Sequence, residues 1–158
     1  KDEAFINSNA TLRFFIKDVA KEENRKVKLI VERKKAIECL VELQSSPSKV
    51  SATYIQYCRT NGLNISDGLN KTALEQVDDL MKFATEDPKK FNSIVTDKNL
   101  LDKAFIEILI TRGELVRSEY NQQINTPDGL FVGANINDAI VFFKNPDNNG
   151  LKNKLEKY

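Results

Sequence analysis

The chain has 158 residues, 41% hydrophobic and 30% charged, with a formal net charge of +1. Such values describe one compact domain or two small ones, and they exclude a disordered chain. Near-neutral charge also excludes a global pull toward nucleic acid or an anionic membrane, so any such attraction must come from a local patch.

The first helix is expected from Thr11 to Glu22, with Leu12, Phe15, Ile16 and Val19 on one face. A second is expected from Lys26 to Gln44, carrying Val27, Ile30, Val31, Ile37, Leu40 and Val41. Leu29-Ile30-Val31 also reads as a short strand, because β-branched residues suit strands, but the long periodicity after it favours helix. Ser45-Ser46-Pro47-Ser48 ends this element, since proline breaks the hydrogen-bond ladder. A third helix is expected over Lys49–Thr60, closed by Asn61-Gly62. Leu63–Asn70 reads as a turn-rich linker.

Thr72 and Glu75 have capping-box spacing at the head of a fourth helix, whose face is Ala73, Leu74, Val77, Leu80, Met81 and Ala84. Asp87-Pro88 closes it and opens a short helix through Val95. Thr96 or Asp97 caps the next, Lys98–Thr111, with Leu101, Ala104, Phe105 and Ile108 as its stripe, widened by Leu100 and Leu109. The period then changes. Glu114–Tyr120 and Leu130–Gly133 read as two strands of a hairpin, with Thr126-Pro127-Asp128-Gly129 in its loop. Asn135 caps a helix carrying Ile136, Ala139, Ile140 and Phe143, with Asp138 favouring its positive end. Asn145–Gly150 interrupts it before a last amphiphilic segment.

The fold class is therefore mainly α, with a small two-stranded hairpin at about 114–133 in the C-terminal third. Two units are expected, 1–62 and 67–158. A short helix, a stronger helix and the hairpin, from Pro88 to Val132, resemble the outline of a winged helix. In that outline Lys98, Lys103 and Arg112 on the helix, with Arg117, Asn121, Gln122 and Gln123 on the wing, would face DNA. Asp97, Asp102 and Glu107 would repel phosphate, which leaves a structural or protein-binding role for the same unit.

Basic residues concentrate near the front: Arg13, Lys17, Lys21, Arg25, Lys26, Lys28, Arg33, Lys34 and Lys35. They form either a polyanion or protein surface, or an ordinary solvated face supported by acidic neighbours at helical spacing. The aromatic pairs Phe14/Phe15, Tyr54/Tyr57 and Phe142/Phe143 leave one ring of each pair exposed for an interface, unless a second helical layer covers both. Acidic residues from Asp67 to Asp87 read as a solvated face. An irregular carboxylate site would need Asp78, Asp128 or Asp138 to converge in a cleft.

Histidine is absent, which removes the commonest general base and metal ligand. Cys39 and Cys58 are not spaced as a metal knuckle, and both are expected as buried small hydrophobes in a reducing, intracellular, cytoplasmic-type compartment. No cofactor loop, metal motif or catalytic constellation is expected. No apolar run reaches the roughly 20 residues of a membrane-spanning helix. The chain starts at Lys1 and ends on a segment that reads as a helix in progress, so an excised domain is expected. Frequent Asn, Lys and Ile match AT-rich genomes, including viral ones. The leading functional expectation is a non-catalytic interaction or assembly module, with a protein partner or self-association. The alternative is a DNA-associated protein using the winged-like unit and the basic front.

Overall fold

A computed structural model gives the fold; it describes the backbone of residues 2–156 and the side chains of residues 19–156. The chain is mainly helical, with a small three-stranded antiparallel sheet in the C-terminal third.

Helix α1 spans Asp2–Leu43 without a break. Two helices are expected there, divided near Glu23-Asn24-Arg25. Nothing in that tripeptide stops a helix: it holds no proline or glycine, and asparagine costs only about 0.6 kcal/mol against alanine. Leu29-Ile30-Val31 is helical within it. The helix is about 63 Å long at 1.5 Å per residue. The face expected from Leu12, Phe15 and Ile16 lies outside the described side chains.

Helix α2 spans Pro47–Thr60, with Pro47 in its first turn. Asn61 and Gly62 follow, and Gly62 takes φ 67°, the left-handed conformation that ends helices. The expected linker contains a one-turn helix, α3 (Ile65–Leu69), whose N-cap Asn64 accepts from Asp67 N. Helix α4 (Ala73–Glu86) opens on the complete capping box of Thr72 and Glu75. Asp87 ends α4 and caps α5 (Pro88–Val95) by accepting from Lys90 N.

Helix α6 spans Leu100–Thr111. Asp97 does not cap it directly; its carboxylate accepts from Asn99 N in the turn before. The buried face of α6 also differs from the expected stripe. Leu100, Ala104, Ile106, Glu107 and Leu109 are buried, while Leu101 is half exposed. The reason is that α6 is covered on two sides: Leu100 and Ala104 meet Ala52 and Ile55 of α2, and Ile106 and Leu109 meet the sheet side.

The sheet has three strands where two are expected: β1 (Val116–Arg117), β2 (Ile124–Asn125) and β3 (Phe131–Gly133), in the order β1-β2-β3. Strand β2 falls in the segment that reads as a polar loop. Its Ile124 is fully buried and anchors it. Helix α7 (Ile136–Lys144) is capped by Asn135, which accepts from Asp138 N, and α8 (Asn149–Glu156) follows a short 3-10 turn.

One core joins Ala36, Leu40 and Leu43 of α1 to α2, to Leu80, Phe83 and Ala84 of α4 and to Phe91 of α5. It therefore draws on residues from both expected units. A second core packs α6 against the sheet and α7 through Leu115, Ile124, Val132, Ala139, Ile140 and Phe143. Cys58 is buried, as expected, whereas Cys39 is only half-buried; both are free thiols.

Candidate functional site

Helix α1 has two apolar faces. The inner one, Ala36, Leu40 and Leu43, packs on the body. At 100° per residue, Val27, Ile30, Ile37 and Val41 fall on the opposite side. They are 57, 62, 51 and 64% exposed, and Val31 beside them is 59% exposed. Every described side chain from Val19 to Val31 is exposed, so this half of the helix projects from the body. Isolated helices gain little from propensity alone and depend on packing an apolar face. An uncovered apolar stripe along a projecting helix is thus the least ordinary surface of the molecule.

The basic residues expected as a patch are spread around that helix. Lys21, Arg25, Lys26, Lys28, Arg33, Lys34 and Lys35 are all exposed. Helical spacing puts Lys26 and Arg33 on one edge, Lys28 and Lys35 on another, and Lys34 inside the outer apolar stripe. Among the described residues, no ion pair involves any of them. Arg33 instead donates to Thr85 O of α4 at 3.1 Å. Arg13 and Lys17 lie outside the described side chains.

A second feature is a cleft of about 470 Å³ between the end of α2, the turn into α3, α6 and β1. Glu107 lies buried at its wall. Arg117 of β1 donates to both of its carboxylate oxygens, at 3.2 and 2.5 Å, and Arg59 Nε stands 3.7 Å away. Arg59 Nη2 also donates to Gln122 Oε1 at 3.3 Å, and Gln122 sits at φ 62°. A left-handed glutamine is uncommon and costs backbone strain. The cluster ties the β1–β2 turn and β1 to α6 and α2. Both oxygens of Glu107 are engaged, so the carboxylate acts as an anchor for two guanidinium groups. The sequence signal for it is a charge inside the apolar run Phe105-Ile106-Glu107-Ile108.

Of the residues expected to face DNA, Lys103, Arg117 and Gln122 line one recess together with Arg59 and Glu107, and several of them are engaged by protein groups. Arg117 is engaged by Glu107 and Lys103 by Asp97. Gln122 meets Arg59, and Gln123 donates to Asn125 Oδ1. Lys98, Arg112 and Asn121 are exposed. Helix α6, the element expected to enter a groove, is the one covered on two sides.

The pairs Tyr54/Tyr57 and Phe142/Phe143 follow the second-layer alternative, while the side chains of Phe14 and Phe15 lie outside the described residues. Tyr54 and Phe143 are buried, and Tyr57 and Phe142 are partly buried against them. Tyr57 bridges Tyr54 and Phe83, with ring centroids 5.4 and 4.9 Å apart. Among the described residues the exposed rings are elsewhere: Tyr120 in the β1–β2 turn and Phe131 on β3. Phe131 shares the outward side of the sheet with Val116 through Asn125.

In the acidic stretch, Asp79 accepts from Tyr54 Oη and Lys71 Nζ, both at 2.7 Å. These hydrogen bonds, Lys71 first, hold its carboxyl below the ordinary value. Burial, then the bond to Asp79, pushes the Tyr54 phenol up to about 12. Burial likewise raises the Cys58 thiol. Asp78 pairs with Lys82, while Asp128 lies in the β2–β3 turn and Asp138 in the first turn of α7, all three exposed. Among the described residues no group of three or more acidic, cysteine or histidine side chains is placed to hold a metal ion, and no helix is long and apolar enough to cross a membrane.

Fold and surface thus define a mainly helical domain with a small antiparallel sheet and a long projecting helix. Neither protein-family models nor curated proteins nor solved structures yield a match to this chain.

Proposed function

We propose that the protein is a non-catalytic interaction and assembly module that docks through the outer face of α1. The observation that carries this reading is the stripe Val27, Ile30, Ile37 and Val41, more than half exposed and opposite the face that packs on the body. Covering such a stripe removes apolar area from water, at about 25 cal/mol per Å². The cleft serves the scaffold in this reading, because Glu107 and Arg117 are bound to one another at its wall.

Mass in solution tests the proposal. Sedimentation equilibrium should give a mass above the monomer at micromolar concentrations, unchanged by added duplex DNA. The I30D/I37D variant should return to the monomer with the cooperative unfolding of the body retained and helicity lost only from the projecting half of α1. A wild-type chain that stays monomeric at all concentrations overturns the reading. So does a monomer retained on duplex DNA with an affinity that falls steeply as salt rises.

A further inference from the structure

We propose that the occupant of the outer face is a second copy of this chain, whose α1 lies antiparallel to the first, with the two-fold axis between Lys28 and Leu29. This rests on the docking reading above and adds partner, direction and register. The outer stripe advances in alternating steps of three and four residues: Ala20, Glu23, Val27, Ile30, Lys34, Ile37 and Val41. That is the 3.5-residue period of a helix followed along its length by another helix. A globular partner touching the helix once would not require it.

Two charges interrupt the stripe, Glu23 and Lys34, and both side chains are exposed. They are eleven residues apart, about 16 Å along the axis, too far to pair within one helix. In a parallel pair each would face its own counterpart, Glu23 on Glu23 and Lys34 on Lys34. Like charges brought together at an interface cost several kcal/mol. In an antiparallel pair, facing residue numbers have a constant sum. At a sum of 57, Glu23 faces Lys34 of the second copy twice, Val27 faces Ile30 twice and Ala20 faces Ile37 twice. A shift of one heptad, to 64, sets Lys34 on Ile30 and Glu23 on Val41. A shift to 50 sets Glu23 on Val27. Both leave charges against aliphatic side chains without a partner. Only one register therefore satisfies both charges, which is how a polar group in a helical seam fixes alignment.

Each body packs on the inner face of its own α1 and reaches the flank of the seam at Arg33, which donates to Thr85 O of α4. Residues 32–43 of one copy then lie across from 14–25 of the other, so each body sits beside the projecting half of its partner. Lys26 and Arg33 flank the seam, with Arg33 held to its own α4. The seam alone selects the register.

Charge exchange tests the proposal on the full chain by sedimentation equilibrium. K34E places Glu23 against a glutamate, and E23K places Lys34 against a lysine. Each should weaken dimerisation by about tenfold or more, the scale of like-charge juxtaposition. The double variant E23K/K34E should return to within about threefold of wild type, because the pair is restored with its signs exchanged. Each variant should keep the cooperative unfolding of the body, since both positions are exposed. Association that is lost in I30D/I37D but unaffected by either single exchange, or not recovered in the double, overturns the antiparallel register while leaving the docking reading in place. A monomeric wild type overturns both.

Discussion

Glu107 is the residue on which the most structure converges. It is 2% exposed, and it holds Arg117 by two hydrogen bonds and Arg59 by proximity. Removing one partner of a buried ion pair leaves the other charge uncompensated. Glu107→Ala should therefore lower unfolding free energy by about 3–5 kcal/mol. Urea unfolding would read this as a lower midpoint with an unchanged slope. Gly133 is a different kind of constraint. A Cβ there would approach Ala139 N to 2.5 Å and the carbonyl carbon of Asp138 to 2.9 Å. Backbone atoms cannot give way cheaply, so only glycine lets the end of β3 lie against the first turn of α7. Gly68 is similar, with Tyr54 and Cys58 in the way. Neither glycine announces itself in the sequence, because the crowding comes from residues brought close by folding.

At the scale of elements, what was legible was what local chemistry determines. The Thr72–Glu75 box, the Asp87-Pro88 stop and start, and the Asn135 cap each involve side chains within three residues of the backbone groups they satisfy. Thr72→Ala removes the hydroxyl that accepts from Glu75 N and should cost about 1 kcal/mol, measured by thermal or urea unfolding. Elements set by distant contacts were not legible. Strand β2 is two residues long and exists because Ile124 fills the second core and pairs on both sides. The continuity of α1 was hidden by polar residues that resemble a connection yet contain no breaker. The charged cleft gathers Arg59, Glu107 and Arg117 from three elements, and only the lone glutamate inside an apolar helix hinted at it. The outer stripe of α1 was visible as residues. Its exposure was not, because periodicity marks an apolar face without saying whether the fold covers it.

For the whole molecule, two carboxylates, Asp79 on α4 and Asp97 in the turn before α6, set a direction for stability against pH. Asp79 is held below its ordinary value by Lys71 and Tyr54. Burial pushes Asp97 up, but hydrogen bonds from Lys103 and Asn99 N outweigh it and leave that carboxyl lowered as well. A carboxylate with a depressed folded value stabilises the fold above its unfolded value, about 3.9, and loses that contribution as pH falls through the folded one. The melting temperature should therefore drop as pH goes from 5 to below 4, and Asp79→Asn should flatten part of that drop. A profile identical to wild type in Asp79→Asn would exclude the carboxylate as a source of the acid response.

The projection of α1 also makes the molecule a device for holding phase. Among the described side chains of the helix the first is Val19 and the first buried is Ala36, about 25 Å apart along a single unbroken rod. Whatever meets the tip is oriented by the body with no hinge between them. Each residue of that rod turns the tip by about 100°, so removing one would swing the outer stripe a quarter turn or more around the axis. Removing seven would shorten the reach by about 10 Å yet rotate the tip by only about 20°. Length and bearing are thus separable quantities in this chain, the first free to vary in steps of a heptad, the second fixed by the count within each step.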